Sequence, residues 1–542
     1  MNNKSLLSTV SLLRLAGATL LAASITSGCL GSSAGTGPRP MTGAGGSGNG
    51  TGGTGTSTGG TTGAGGSLAG AGGSPPPIIG WGTPVTGGPT GSGTAATVTV
   101  DPSTTFGAIG PDFIGFSYEK THIMNGSLTS NNTSLIALYK LLGSPMVRVG
   151  ANDVERCAWA GAGPGPSQPN GQPFALKITS GGVDQFCGFL AATGSKAIYG
   201  VNFQLDNVPL SSAEAAYVLG KCPSSIVGIE IGNEPDKFGT WAQQQSDYES
   251  FADAILTTPG ALLVGPACTS KSDALYAAPF ADTIAAKYPG KLAPLSQHSY
   301  VAAAGSSDCS VPNLQVTTTL LTDIFDTIKA AAAKNNLPAW RMDEANTCSG
   351  HGQQGVSDTF IAGLWAIDYM FEVARRGGSG VNFHGSENGM DGTVPFYYEP
   401  MKEDQGLVVQ VQPEYYGLLL FAEAGVGTMV STTVITSAQN FTAGAIKADG
   451  FTSVVLNNRN ASSGVSATVN LGVAVSGASA IYLEATPAGS LTAAAGNVTL
   501  AGAAVSVAGD WPRNEPYIQT VSGTSVSVYV PAASAALVRV LQ

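Results

Sequence analysis

Ile226-Val227-Gly228-Ile229-Glu230-Ile231-Gly232-Asn233-Glu234-Pro235 decides how the chain is read. It opens as an apolar run rich in β-branched residues, the composition of a strand buried on both faces. It breaks at Gly-Asn-Glu-Pro. Pro235 has no N–H to give a sheet ladder, so the strand stops about there. Asn233 and Glu234 are left at the carboxyl end of a core strand, the end that faces the active site in a parallel-strand barrel. The plain alternative is a solvated Glu beside a turn proline. The choice depends on whether the rest of the chain supplies Glu234 with a partner.

Outward from this stretch, seven more short β-like runs recur: Phe113–Tyr118, Met146–Val149, Ala197–Phe203, Leu262–Gly265, Leu295–Tyr300, Trp340–Glu344 and Gly380–His384. Helices are expected over Ser134–Leu142, Ser212–Leu219, Gln245–Leu256, Thr317–Asn335 and Asp358–Arg375. Eight strands alternating with helices is the pattern of a (β/α)8 TIM barrel, here over residues 105–425. In that barrel Glu344 ends the seventh strand, nearly across the ring from Glu234 and at the same end. Two carboxylates across a cleft are what glycoside hydrolysis needs. One, kept protonated, gives its proton to the leaving oxygen; the other attacks the anomeric carbon. A spacing of about 5–5.5 Å means retention of configuration. The closeness of two like charges favours a proton on one of them.

The flanks differ from the barrel. After a last helix at Tyr415–Phe421 the chain becomes short alternating runs with Gly, Asn and Asp turns. Ala443–Lys447 meets Thr452–Leu456 across Asp449-Gly450, a hairpin signal. This predicts a C-terminal β-sandwich over residues 426–542, joined by a strand within residues 94–104. At the other end, Lys4 and Arg14 precede the short apolar run Leu15–Ala23, then Ser27-Gly28-Cys29. The run is too short to span a bilayer and suits a signal peptide, residues 1–28. Its ending resembles the bacterial lipoprotein signal, with Thr26 where an aliphatic residue is usual. Lipidation of Cys29 and a Gly/Ser/Thr-rich tether over residues 29–93 follow as expectations. The protein is then exported to the cell envelope and touches a membrane only through that anchor. An ordinary secretory signal and a secreted product is the alternative.

Composition fits export. Of 542 residues 43% are hydrophobic, only 11% are charged and 74 are Gly. A net charge of −11 offers no basic field for nucleic acid, so no nucleic-acid partner is expected. Six cysteines remain beyond Cys29, an even number that suggests disulfides. Cys309 with Cys348 is the favoured pair, since both follow strands near the site. No C-x-x-C spacing marks a zinc site, and two-carboxylate hydrolysis calls for no metal or organic cofactor.

Asn-Glu-Pro ending the fourth run and a Glu ending the seventh resemble the clan A retaining glycosidases. More narrowly, Phe113–Glu119, Val147–Asn152, Gly232–Asp236, Asp343–Asn346, Gly355–Thr359 and Gly380–Gly385 look like glycoside hydrolase family 79, which holds β-glucuronidases and heparanase. The likeness runs from about Val98 to the end. It implies that Glu234 is the acid/base and Glu344 the nucleophile. It further implies that Arg148 keeps Glu344 ionised and that Asn233 bonds the sugar 2-hydroxyl. Tyr300 is either a partner of the nucleophile or a packed core aromatic. His298 shares its face by alternation and reads as a satisfied core histidine. Glu119, Asn152 and His384 either contact substrate hydroxyls or serve the scaffold. The family holds a uronate carboxylate with donors on the loop after the nucleophile and on a later aromatic segment. Here that loop is Asn346–Gln353 and lacks the Tyr that relatives carry near Ser349; His351 or Gln353 could replace it. Pro395–Pro400 still offers tyrosines, Tyr397 among them. The resemblance thus implies a β-glucuronidase-like exo-enzyme acting on a carbohydrate or glycoside. The alternatives are a glycosidase for neutral β-glycosides and a non-catalytic carbohydrate-binding or scaffold lipoprotein.

Overall fold

The computed structural model describes residues 81–161, 163, 176–269, 273–316, 322–385 and 395–542. The expected signal peptide, Cys29 and most of the expected tether lie outside these residues, as does the start of the Thr317–Asn335 helix.

Eight parallel strands close into a barrel: β1 Ile114–Glu119, β2 Met146–Gly150, β3 Ala197–Val201, β4 Ile226–Ile231, β5 Leu263–Cys268, β6 Leu292–Ala303, β7 Trp340–Ser349 and β8 Val381–His384. The ring closes where β8 pairs with β1, Val381 against Ile114 through His384 against Ser117. These are the eight runs read from the sequence, the weakly patterned fifth and sixth included. Strands such as β1, β2 and β3 are buried at every residue, which fits side chains filling the ring inside and helices covering it outside. One detail differs. β7 runs to Ser349, so Glu344 lies inside the strand rather than at its end. The register against β6 slips between Met342 and Glu344. Such an irregularity re-aims a side chain; beyond Ala345, which still pairs with Phe383 of β8, the register of β7 continues against the extended end of β6.

The expected helices appear as Thr133–Leu141, Val208–Lys221, Trp241–Ile255, Thr322–Lys334, Phe360–Arg375 and Pro413–Ala424. Ser180–Thr193 was not expected, because Gly181 and Gly182 blur its helical period. Gly182 packs against Met124: a Cβ would lie 2.2 Å from its sulfur and would force that side chain to shift. Thr179 caps the start by accepting from the Gly182 N–H, and Gly194 ends it in the left-handed region.

The rest is a β-rich domain on one eleven-stranded sheet. The N-terminal strand Thr94–Ile109 lies inside that sheet, antiparallel to Gly427–Thr436 and parallel to Val465–Asn470. Alternation divides its faces. Val98, Val430, Val454, Val469, Val528 and Val538 share one core, so the sheet curls over on that face. Val455, Ile481 and Leu537 point the other way and join the barrel's own core. The expected tether boundary near Gly93 is too late. Trp81 is buried, its indole N–H donates to Glu423 Oε2 at 2.9 Å, and the Arg539 guanidinium lies 4.2 Å over its ring. Cys309 bonds Cys348, joining the loop after β6 to the end of β7, and Cys187 bonds Cys222. Cys157 and Cys268 are buried free thiols.

Candidate active site

A cleft of about 800 Å³ opens at the carboxyl ends of the barrel strands. Glu119, Asn152, Glu234, Tyr300, Glu344, His351 and His384 line it, as do Lys237, Thr269, Ser349, Phe396 and Tyr398. The barrel brings Glu234 and Glu344 together with His298 so that one ligating atom of each lies within 4.8 Å of the others. Glu234 reaches the cleft from a left-handed backbone, φ 46°, which turns the chain off β4 into the one-turn helix Pro235–Lys237. Its N–H is held by the Ala267 carbonyl at 2.9 Å.

The two carboxylates have unlike partners. Glu344 Oε2 accepts from the Arg148 guanidinium at 2.7 Å, and Oε1 accepts from the Tyr300 hydroxyl at 2.7 Å. The His384 and His298 rings stand 3.8 and 3.9 Å from it. Burial alone would raise this carboxyl. His384, His298, Arg148 and the Tyr300 hydrogen bond outweigh burial and hold it well below the usual carboxylate range. Glu234 instead meets His298 Nδ1 at 3.0 Å through Oε1 and the Lys237 ammonium through Oε2.

Arg148 is fully buried and is the hub beneath both. Besides Glu344 it binds Glu230 through Nε at 3.0 Å and the Asn233 amide oxygen at 2.8 Å. Glu230 is itself buried, as is Asp343, and burial raises its pKa, with the Asp343 charge acting in the same direction. Asn233 is oriented by Arg148, and its amide nitrogen faces Asn152 at 3.5 Å. Asn233 is not among the residues that line the cleft. Glu119 accepts from the Asp153 N–H at 2.7 Å, and burial pushes its carboxyl well up. It therefore tends to carry a proton and can donate to a hydroxyl.

Two sequence readings need correction. Tyr397 does not line the cleft. Its N–H donates to the His351 carbonyl at 2.7 Å, and extended-chain alternation sends Phe396 and Tyr398 inward instead. His351 stacks on Phe396 with centroids 4.4 Å apart, and Tyr398 lies edge-on to His384. His298 is buried, but its partners are carboxylates rather than core carbonyls. Burial would lower its pKa; facing Glu344 and bonded Glu234 raise it to about 9. Its same-face alternation with Tyr300 was the available signal. Lys237 was missed altogether.

The His298 environment has a testable consequence. Asp343 and Arg148 also face this ring, the first raising and the second lowering its proton affinity. A raised folded pKa stabilises below the unfolded value of 6.5 and loses that contribution as pH rises through about 9. Calorimetry across that window should show the wild-type Tm falling more steeply than that of His298→Gln. Parallel curves contradict the assignment.

Glu234, His298 and Glu344 also have the spacing of a metal-ligand set. Both carboxylates already hold cationic partners, Lys237 on one and Arg148 on the other, and a second cation between them would be repelled.

No family model and no curated protein matches the chain. Solved structures do. A 4-O-α-L-rhamnosyl-β-D-glucuronidase from Fusarium oxysporum 12S, in complex with Rha-GlcA, is 21% identical with a TM-score of 0.67, over 82% of this chain and 99% of that one. A family 51 α-L-arabinofuranosidase from Bifidobacterium longum is 16% identical with a TM-score of 0.59, over 83% and 100%. A family 44 xyloglucanase from Paenibacillus polymyxa is 11% identical with a TM-score of 0.56, over 83% and 100%. The chain thus shares with these proteins the architecture of a closed eight-stranded barrel and a β-rich companion domain.

Proposed function

We propose that this chain is a retaining clan A glycosidase of the family 79 kind, which removes a β-linked uronic acid sugar from its aglycone. One observation supports this above the rest: Glu234 and Glu344 bring carboxylate oxygens within 4.8 Å across an open cleft. That suits the close spacing of the retaining mechanism. Glu344, held anionic by Arg148 and Tyr300, attacks the anomeric carbon as the bond to the leaving oxygen breaks. Glu234 gives a proton to that oxygen. Water then enters on the vacated side and gives its proton to Glu234. Its oxygen bonds to the anomeric carbon, the ester to Glu344 breaks, and the sugar leaves with its starting configuration.

Uronate preference draws on the Ser349 hydroxyl, the His351 ring and the Tyr398 hydroxyl, which border the cleft and can donate to a sugar carboxylate. The glucuronidase among the fold neighbours points the same way. A panel of p-nitrophenyl glycosides tests the reading. Faster turnover of the β-glucuronide than of the β-glucoside supports it. The reverse order favours neutral β-glycosides, and turnover of none favours a binding protein. Export as a lipoprotein belongs to the same proposal: a radioactive fatty acid should label the wild type and not Cys29→Ser. Equal labelling would refute the anchor.

A further inference from the structure

Two-carboxylate chemistry has no need of a strong cation on the acid, yet this cleft has one. Lys237 is the one lysine or arginine among the described residues that line it, in the company of Glu119, Glu234, Asp308 and Glu344. Its ammonium pairs with Glu234 Oε2, and its side chain is 49% exposed. An i,i+3 pair on an open surface would count for little. Here the partner is the buried acid itself, and the turn is fixed. The Lys237 N–H binds the Glu234 carbonyl at 3.0 Å, while Asp236 anchors the turn to Thr269 after β5 through both its N–H, at 3.0 Å, and its hydroxyl.

The charge balance of Lys237 changes during the reaction proposed above, on which this inference rests. Glu234 can protonate a leaving oxygen only while it carries a proton, and is then neutral. In that state Lys237 has lost its counter-ion. The leaving group occupies the side of the cleft next to the acid, because its oxygen takes the acid's proton. A second anion on that side restores the balance. By linkage, binding the anion and holding the proton on Glu234 favour each other.

We infer that Lys237 is the cationic element of a leaving-group subsite, selecting aglycones that carry an acidic group, a carboxylate or a sulfate, close to the scissile bond. A neutral aglycone must leave Lys237 without an anion or the acid without its proton; an acidic aglycone removes that conflict.

The test compares wild type, Lys237→Met and Lys237→Arg on two glycosides of the sugar that the wild type turns over. One has 3-hydroxybenzamide as leaving group, the other 3-hydroxybenzoate, whose carboxylate sits on the ring carbon meta to the scissile oxygen. Intrinsic leaving-group differences cancel when each variant is read as the ratio of kcat/KM for the acidic to the neutral substrate. Lys237→Met should lower that ratio about tenfold, mainly through KM, the size expected for one charge-assisted contact. Lys237→Arg should restore most of it, and added salt should shrink the wild-type preference. An unchanged ratio in Lys237→Met overturns the subsite. So does an equal loss on both substrates, which would mean that Lys237 acts only through Glu234. Either result in an active wild type leaves the glycosidase reading standing. A wild type inert on every sugar removes that reading and this inference with it.

Discussion

Glu344→Gln should lower kcat on aryl glycosides on the order of 10⁵-fold while the fold survives, the size of loss seen when an enzyme is deprived of its covalent nucleophile. The environment of this residue explains both halves of that expectation. Glu344 is held anionic against its own burial by His384, His298, Arg148 and Tyr300. An amide of the same shape keeps an oxygen for Arg148 or Tyr300 but cannot form the ester. The Arg148 guanidinium is not stranded by the change, because Glu230 and Asn233 still bind it. Removing Glu230 as well would leave a buried charge without a carboxylate, at a cost of about 3–5 kcal/mol. Circular dichroism and Tm establish that the variant is folded, and initial rates on the p-nitrophenyl glycoside that works best measure the loss. A loss under tenfold in a folded variant contradicts the nucleophile assignment.

Glu234→Ala should show a different signature. General acid catalysis is worth about 10²–10⁴-fold, and that loss should appear in full on alkyl or sugar leaving groups. It should be far smaller on p-nitrophenol, which departs without a proton. The truncated side chain leaves a space flanked by the His298 ring and the Lys237 ammonium. A small anion such as azide fits that setting, and it should restore turnover while releasing a glycosyl azide of the same anomeric configuration as the substrate. Equal losses on good and poor leaving groups, with no response to azide, would contradict the role of Glu234.

Most of the barrel is legible in the chain because its signals are local. Each of the eight strands is a short apolar run with its own boundary, and Pro235 marks one of them without help from elsewhere. Glu234 and Glu344 are legible for the same reason. Once the two strands are assigned to one ring, their carboxylates are expected at the same end of it. What escaped depends on contacts between distant segments. Trp81 stands in a Gly-rich stretch that looks like tether, and only Arg539 and Glu423, near the other end of the chain, show that it is buried. Whether His298 is a core or a site residue depends on what β4 and β7 bring to it. Lys237 looks like any solvated lysine until the fold shows that its partner is Glu234. Tyr397 and Tyr398 differ only in which face of an extended segment each takes, a choice fixed by the bond from the Tyr397 N–H to His351.

The central claim is that Glu344 becomes covalently bonded to the sugar. A 2-deoxy-2-fluoro glycosyl fluoride of the preferred sugar addresses it directly. Fluorine at C2 slows both steps, while the fluoride leaving group keeps the first fast enough for the intermediate to accumulate. Intact-mass and peptide analysis of the inactivated protein should find one sugar per chain, on the peptide that contains Glu344, and none on Glu344→Gln. A label on another residue, or turnover to a product of inverted configuration with no label at all, would contradict the account.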